Sequence, residues 1–135
     1  MADTKASAER PLSPHLFIYK PMLTMMMSIV HRITGAGLYF GIILLIWWLL
    51  AASISADYFA TVQAFFGNPI GKLILFGYTW ALLHHMLGGL RHLLWDTGHG
   101  FGLATIEWLA RANLTLSIIG TLALWLGVYL VRGTL

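Results

Sequence analysis

Residues Leu73 to Asp96 read LILFGYTWALLHHMLGGLRHLLWD, and this stretch decides the fold. Its first 18 residues, Leu73 to Leu90, contain no Asp, Glu, Lys or Arg. Two more stretches lack them: the 24 residues from Ile33 to Ala56 and the 20 from Ala112 to Val131. A spanning helix needs about 20 predominantly apolar residues. Of the 135 residues, 59% are hydrophobic and 10% charged, against about 25% charged in soluble domains. The expected fold is an all-α membrane protein. Residues 23–135 form a transmembrane domain with helices at about 23–53, 70–96 and 112–132. Residues 1–22 form an irregular lead-in, and the domain is part of a multi-subunit helical bundle. The Gly67-Asn68-Pro69 run reads as a turn. The segment around Gly98 to Arg111 reads as a short amphipathic connection.

Ionisable groups at membrane depth are costly and usually mark a site. At about 100° per residue, His92 lies about 20° from the face of His85, Gly89 about 40° to the other side, and Asp96 about 20° away. One stripe therefore carries His85, Gly89, His92 and Asp96. His84 points about 100° elsewhere and reads as a packing histidine. A rise of about 1.5 Å per residue separates His85 from His92 by about 10 Å, so both cannot bind one iron. The stripe suggests a large flat ligand such as haem. His85 is its iron ligand, His92 meets its polar edge, and Gly89 gives a ring room to approach the backbone. Gly88 is expected to widen that room. A second axial imidazole is expected from another membrane chain. His31, at the start of the first helix, is better placed for the polar edge than for the iron.

The first helix opens with a polar cluster, Ser28-Ile29-Val30-His31-Arg32. Ser28 and Arg32 share a face at i, i+4. Arginine stays charged, and a serine hydroxyl both donates and accepts. The cluster suits two-electron, two-proton quinone chemistry; read blandly, it is a positive anchor with a packed serine. Before it, Arg10 to Pro21 holds three prolines, which exclude a regular helix. This lead-in is expected against the membrane surface or a partner, a plain linker being the alternative.

With no cysteine, the chain cannot hold a disulfide or a thiolate-ligated iron–sulfur cluster. The basic residues form no patch with interleaved aromatics, so nucleic-acid binding has no support. Lys5, Arg10, Lys20 and Arg32 precede or open the first helix. The positive-inside rule then predicts a cytoplasmic N-terminus and, after three spans, a C-terminus with Arg132 on the periplasmic side. Asp3 and Glu9 do not suit a transit peptide, which favours a bacterial inner membrane.

Three blocks occur in order: Arg10-Pro11-Leu12-Ser13-Pro14-His15-Leu16 with Ile18-Tyr19; Ser28-Ile29, His31-Arg32 and Thr34-Gly35; and His85, Gly89, Arg91-His92-Leu93 and Asp96. Together they resemble the cytochrome b membrane subunit of succinate dehydrogenase, respiratory complex II. The resemblance implies His85 as axial ligand of a haem b shared with a second membrane subunit. It implies Ser28 and Arg32 at the ubiquinone site, and His31, Arg32 and His92 near the haem propionates. It implies an iron–sulfur subunit and a flavoprotein subunit as partners, which carry the clusters and FAD. The alternatives are the anchor of a quinol:fumarate reductase, a haem-free structural anchor, and a small transporter.

Overall fold

The computed structural model describes Pro14 and residues 20–133, and the lead-in reading for residues 10–19 otherwise lies outside the described residues. Among the described residues, four helices follow in order: α1 Leu23–Ile54, α2 Ala56–Gly67, α3 Pro69–Asp96 and α4 Leu103–Arg132. No strand occurs among the described residues. Helices α1, α3 and α4 are each long and apolar enough to cross a membrane.

Two differences from the sequence reading have local causes. The segment between the first two spans is a 12-residue helix, where only a turn was expected. Ser55 closes α1 and also caps α2, its side chain accepting from the Tyr58 N–H at 3.1 Å. Asn68 then caps α3, accepting from the Gly71 N–H at 2.9 Å, with Pro69 at the first turn, where a missing N–H costs nothing. The third span begins at Leu103 rather than near Ala112. A charge-free window stops at Arg111, but Glu107 and Arg111 pair at i, i+4 on an exposed face, so the helix tolerates both. The irregular connection is confined to residues 97–102, where Gly98 and Gly100 take positive φ of 80° and 83°.

Burial is inverted relative to a soluble protein. The buried apolar residues are Met27, Ala51, Val62, Phe66 and Ala110, whereas Thr34, His84, Arg91, Asn113, Ser117 and Thr121 are buried and polar or charged. Long apolar side chains face outward along every span. In a bilayer, lipid is as apolar as leucine, so small and polar residues hold helices together instead. Among the described residues, an apolar core cluster of Ala51, Val62 and Phe66 lies where α2 packs under α1, flanked by Trp47 and Trp48. Their indole N–H groups donate to Tyr58 Oη at 2.9 Å and Gln63 Oε1 at 3.0 Å, which ties α2 to the end of α1.

Candidate functional site

Helices α1 and α3 run antiparallel in close register because glycines alternate with rings across their interface. A Cβ at Gly41 would strike the Tyr78 ring, one at Gly35 would lie 2.8 Å from His85 Cε1, and one at Gly88 would strike the His31 ring. These pairs keep one register, which places Ser28 level with His92. Gly88 therefore seats His31 rather than widening the ligand's space.

The register brings His31, His85 and His92 together. The His31 and His85 rings stack at 4.0 Å between centroids, 3° from parallel. His31 and His92 lie 5.2 Å apart at 47°. The sequence reading set His31 apart from His85; the structure puts them face to face, because antiparallel packing brings the start of α1 beside the last third of α3.

The hydrogen bonding of His85 is specific. Its Nδ1 lies 3.1 Å from the backbone carbonyl of His31 and 3.5 Å from Thr34 Oγ1. A carbonyl only accepts, so Nδ1 carries the hydrogen and Nε2 keeps its lone pair. Thr34 is itself buried, and its hydroxyl donates back to the Val30 and His31 carbonyls at 2.9 and 3.0 Å. A metal-ligating histidine characteristically donates its other N–H to such a carbonyl, which fixes tautomer and ring direction. Stacking against His31 does not engage the Nε2 lone pair, since that pair lies in the ring plane. Beside His85 on the same stripe, a Cβ at Gly89 would meet nothing within 4 Å. The donor set and the open backbone fit a flat haem ring approached through His85 Nε2.

Ser28 is half-buried one turn before Arg32, which is exposed. Neither makes a side-chain hydrogen bond or ion pair among the described residues. Their polar ends are free for an outside partner. His92 and Asp96 are exposed on the outer stripe. His84 takes no part in this face: it is fully buried toward α4, with Nδ1 3.4 Å from Ser117 Oγ. An apolar cleft of about 290 Å³ opens farther along the bundle, against Gly41, Leu45, Trp48, Phe66, Leu75 and Tyr78, away from the histidines.

Thr34 and Gly35 both lie against His85, and periodicity alone passed over them, although both lie within the motif block of the first helix. Gly35→Ala is expected to cost about 1–3 kcal/mol, the usual range for overpacking, because its methyl meets the His85 ring. Gly37→Ala, where a Cβ meets nothing within 4 Å, is expected to cost nothing. Thermal denaturation of the two variants checks the contrast.

Comparison with known proteins gives a consistent picture. A family model described as succinate dehydrogenase/fumarate reductase transmembrane subunit matches residues 6–128. A succinate dehydrogenase cytochrome b556 subunit of Rickettsia typhi is 36% identical over 117 residues, covering 87% of this chain and 91% of the relative. That of Paracoccus denitrificans is 41% identical over 119 residues, covering 88% and 91%. A mitochondrial succinate dehydrogenase cytochrome b560 subunit of Sus scrofa is 33% identical over 120 residues, covering 86% of this chain and 68% of the relative.

Proposed function

Since this chain belongs to the succinate dehydrogenase/fumarate reductase transmembrane subunit family, we propose that it holds a haem b through His85 and helps form the ubiquinone-reduction site of a succinate:ubiquinone oxidoreductase. The single observation that carries the haem assignment is the His85 Nδ1 bond to the His31 carbonyl, which leaves the lone pair on Nε2, one helical turn from the open backbone of Gly89. His31, Arg32 and His92 supply donors and positive charge for the propionate edge. A second membrane subunit would supply the haem's other ligand. When bound, the haem supplies one-electron storage; the residues here hold it, set its ligand's tautomer and shield one face of the imidazole.

Ubiquinone reduction takes two electrons and two protons, and charge develops on the quinone oxygens. Arg32 stabilises that charge through charge-assisted hydrogen bonds. Ser28 donates to a quinone oxygen and accepts from the quinol once it is formed. Succinate oxidation belongs to partner subunits, a flavoprotein and an iron–sulfur protein, because this chain has no cysteine to ligate a cluster. The names of the curated relatives favour the succinate-oxidising direction over fumarate reduction. The charge asymmetry of the termini supports a cytoplasmic N-terminus.

The test is a dithionite-reduced minus oxidised optical spectrum of the assembly, purified through this chain in mild detergent. A sharp b-type band is expected. A featureless spectrum from intact complex would overturn the haem assignment and leave a haem-free anchor.

A further inference from the structure

Between α3 and α4 runs a line of polar atoms with no partner among the described residues. On α3 these are Trp80 Nε1, His84 Nε2, Arg91 Nε and Trp95 Nε1; on α4 they are both polar atoms of the Asn113 side chain. His84 is 0% exposed, Asn113 4% and Arg91 6%. Positions 80, 84, 91 and 95 recur at helical spacing and share one stripe of α3. The Trp80 and His84 rings lie 5.2 Å apart, and the Arg91 guanidinium sits 5.0 Å from the Trp95 ring centroid. His84 meets Ser117, and the Trp125 indole donates to Thr79 Oγ1 at 3.3 Å. That antiparallel register sets Asn113 level with Gly88 to Arg91. His84 and Asn113 therefore face one another's helix, and Trp80, Arg91 and Trp95 extend the buried α3 stripe beside them to about 22 Å by helical rise.

Their chemistry narrows what the seam can hold. The Ser117 hydroxyl donates to the Leu114 carbonyl at 2.8 Å, so it faces His84 Nδ1 as an acceptor. His84 then carries its hydrogen on Nδ1, and its Nε2 requires a donor. The seam thus has four unmet donor atoms, on Trp80, Arg91, Asn113 and Trp95, and two unmet acceptors, His84 Nε2 and Asn113 Oδ1. Within a membrane, every bare polar group is expensive and a permanent guanidinium charge the more so. A side chain of another subunit cannot reach atoms already covered by this chain. An anion would suit Arg91 but not the two acceptors, and a hydrocarbon tail would satisfy none of them. Water both donates and accepts, and buried polar sites with several partners take it.

We propose that the α3/α4 seam binds a file of ordered water molecules that joins Trp80 and His84, through Asn113, to Arg91 and Trp95. The file lies inside one chain and is distinct from the open His85–Gly89–His92 stripe. Gly88 belongs to the same inner stripe and touches the His31 ring, so the water passes behind the stacked pair and solvates Arg91 there. The proposal does not depend on haem or quinone binding.

The test uses the assembled complex. Asn113→Leu keeps the volume and removes both polar atoms. If Asn113 were simply unpaired, leucine would raise the thermal midpoint; if it anchors water, leucine lowers it by several degrees, and Asn113→Ser recovers part of the loss. An unchanged or raised midpoint for Asn113→Leu overturns the proposal. A density map of the unmodified complex fine enough to resolve ordered water gives an independent reading. Water within hydrogen-bond distance of Asn113 Oδ1 and His84 Nε2 is expected, and a dry seam in such a map also overturns it.

Discussion

Replacing both His31 and His85 with leucine is expected to abolish the b-type haem band of the assembled complex. His85→Leu alone is expected to alter the band without removing it, because the His31 imidazole stands 4.0 Å from the place of the lost ring and remains within reach. Losing an outer-shell partner of a metal site typically costs about 10- to 100-fold in affinity, and loss of the ligand itself should exceed that range. His84→Gln, on the buried side against Ser117, is expected to keep the band. Haem content per complex and the reduced-minus-oxidised spectrum provide the readout. A normal band in the double variant, or its loss in His84→Gln alone, would move the ligand away from His85.

The second large effect is expected at Arg32. Arg32→Leu should lower succinate–ubiquinone reductase activity by about 10²-fold or more, the usual cost of removing one preorganised donor from a site of developing charge. Succinate oxidation measured with a soluble dye that bypasses ubiquinone should stay near the unaltered rate, since the proposed function assigns the dehydrogenating chemistry to partner subunits. Arg32→Lys should recover part of the loss, because it restores the charge without the planar fork of donors. Equal loss in both assays would instead mean failed assembly, and full activity in both would remove Arg32 from the quinone site.

The parts of this arrangement that belong to a single helix were legible in the sequence, and those that depend on two helices were not. The alignment of His85, Gly89 and His92 follows from 100° per residue alone. The stack of His31 on His85 does not, because it depends on how far α1 slides past α3. That offset is set by where Gly35, Gly41 and Gly88 admit the opposing rings. Gly88 was read as room for a ligand because its neighbour across the interface could not be seen. Helix α2 escaped notice because its 12 residues are too few to span and too mixed to stand out beside longer apolar runs. The early start of α4 was hidden by treating Glu107 and Arg111 as a boundary when together they form one exposed ion pair. The unpartnered stripe of α3 has no signature along the chain at all, since whether a polar atom lacks a partner is decided by the helix opposite.

The depth of His85 has an electrical consequence. Along α3 it stands about 16 Å from Asp96 and about 24 Å from Pro69, at about 1.5 Å per residue. An electron delivered from the Asp96 end to a group held by His85 thus traverses about two-fifths of the helix. A full crossing is worth about 2.3 kcal/mol per 100 mV of transmembrane voltage, so the partial crossing is worth about 0.9 kcal/mol. Occupancy of a redox group at this level therefore responds to the voltage of an energised membrane, and a potential measured in detergent will differ from the working one by about that amount for each 100 mV.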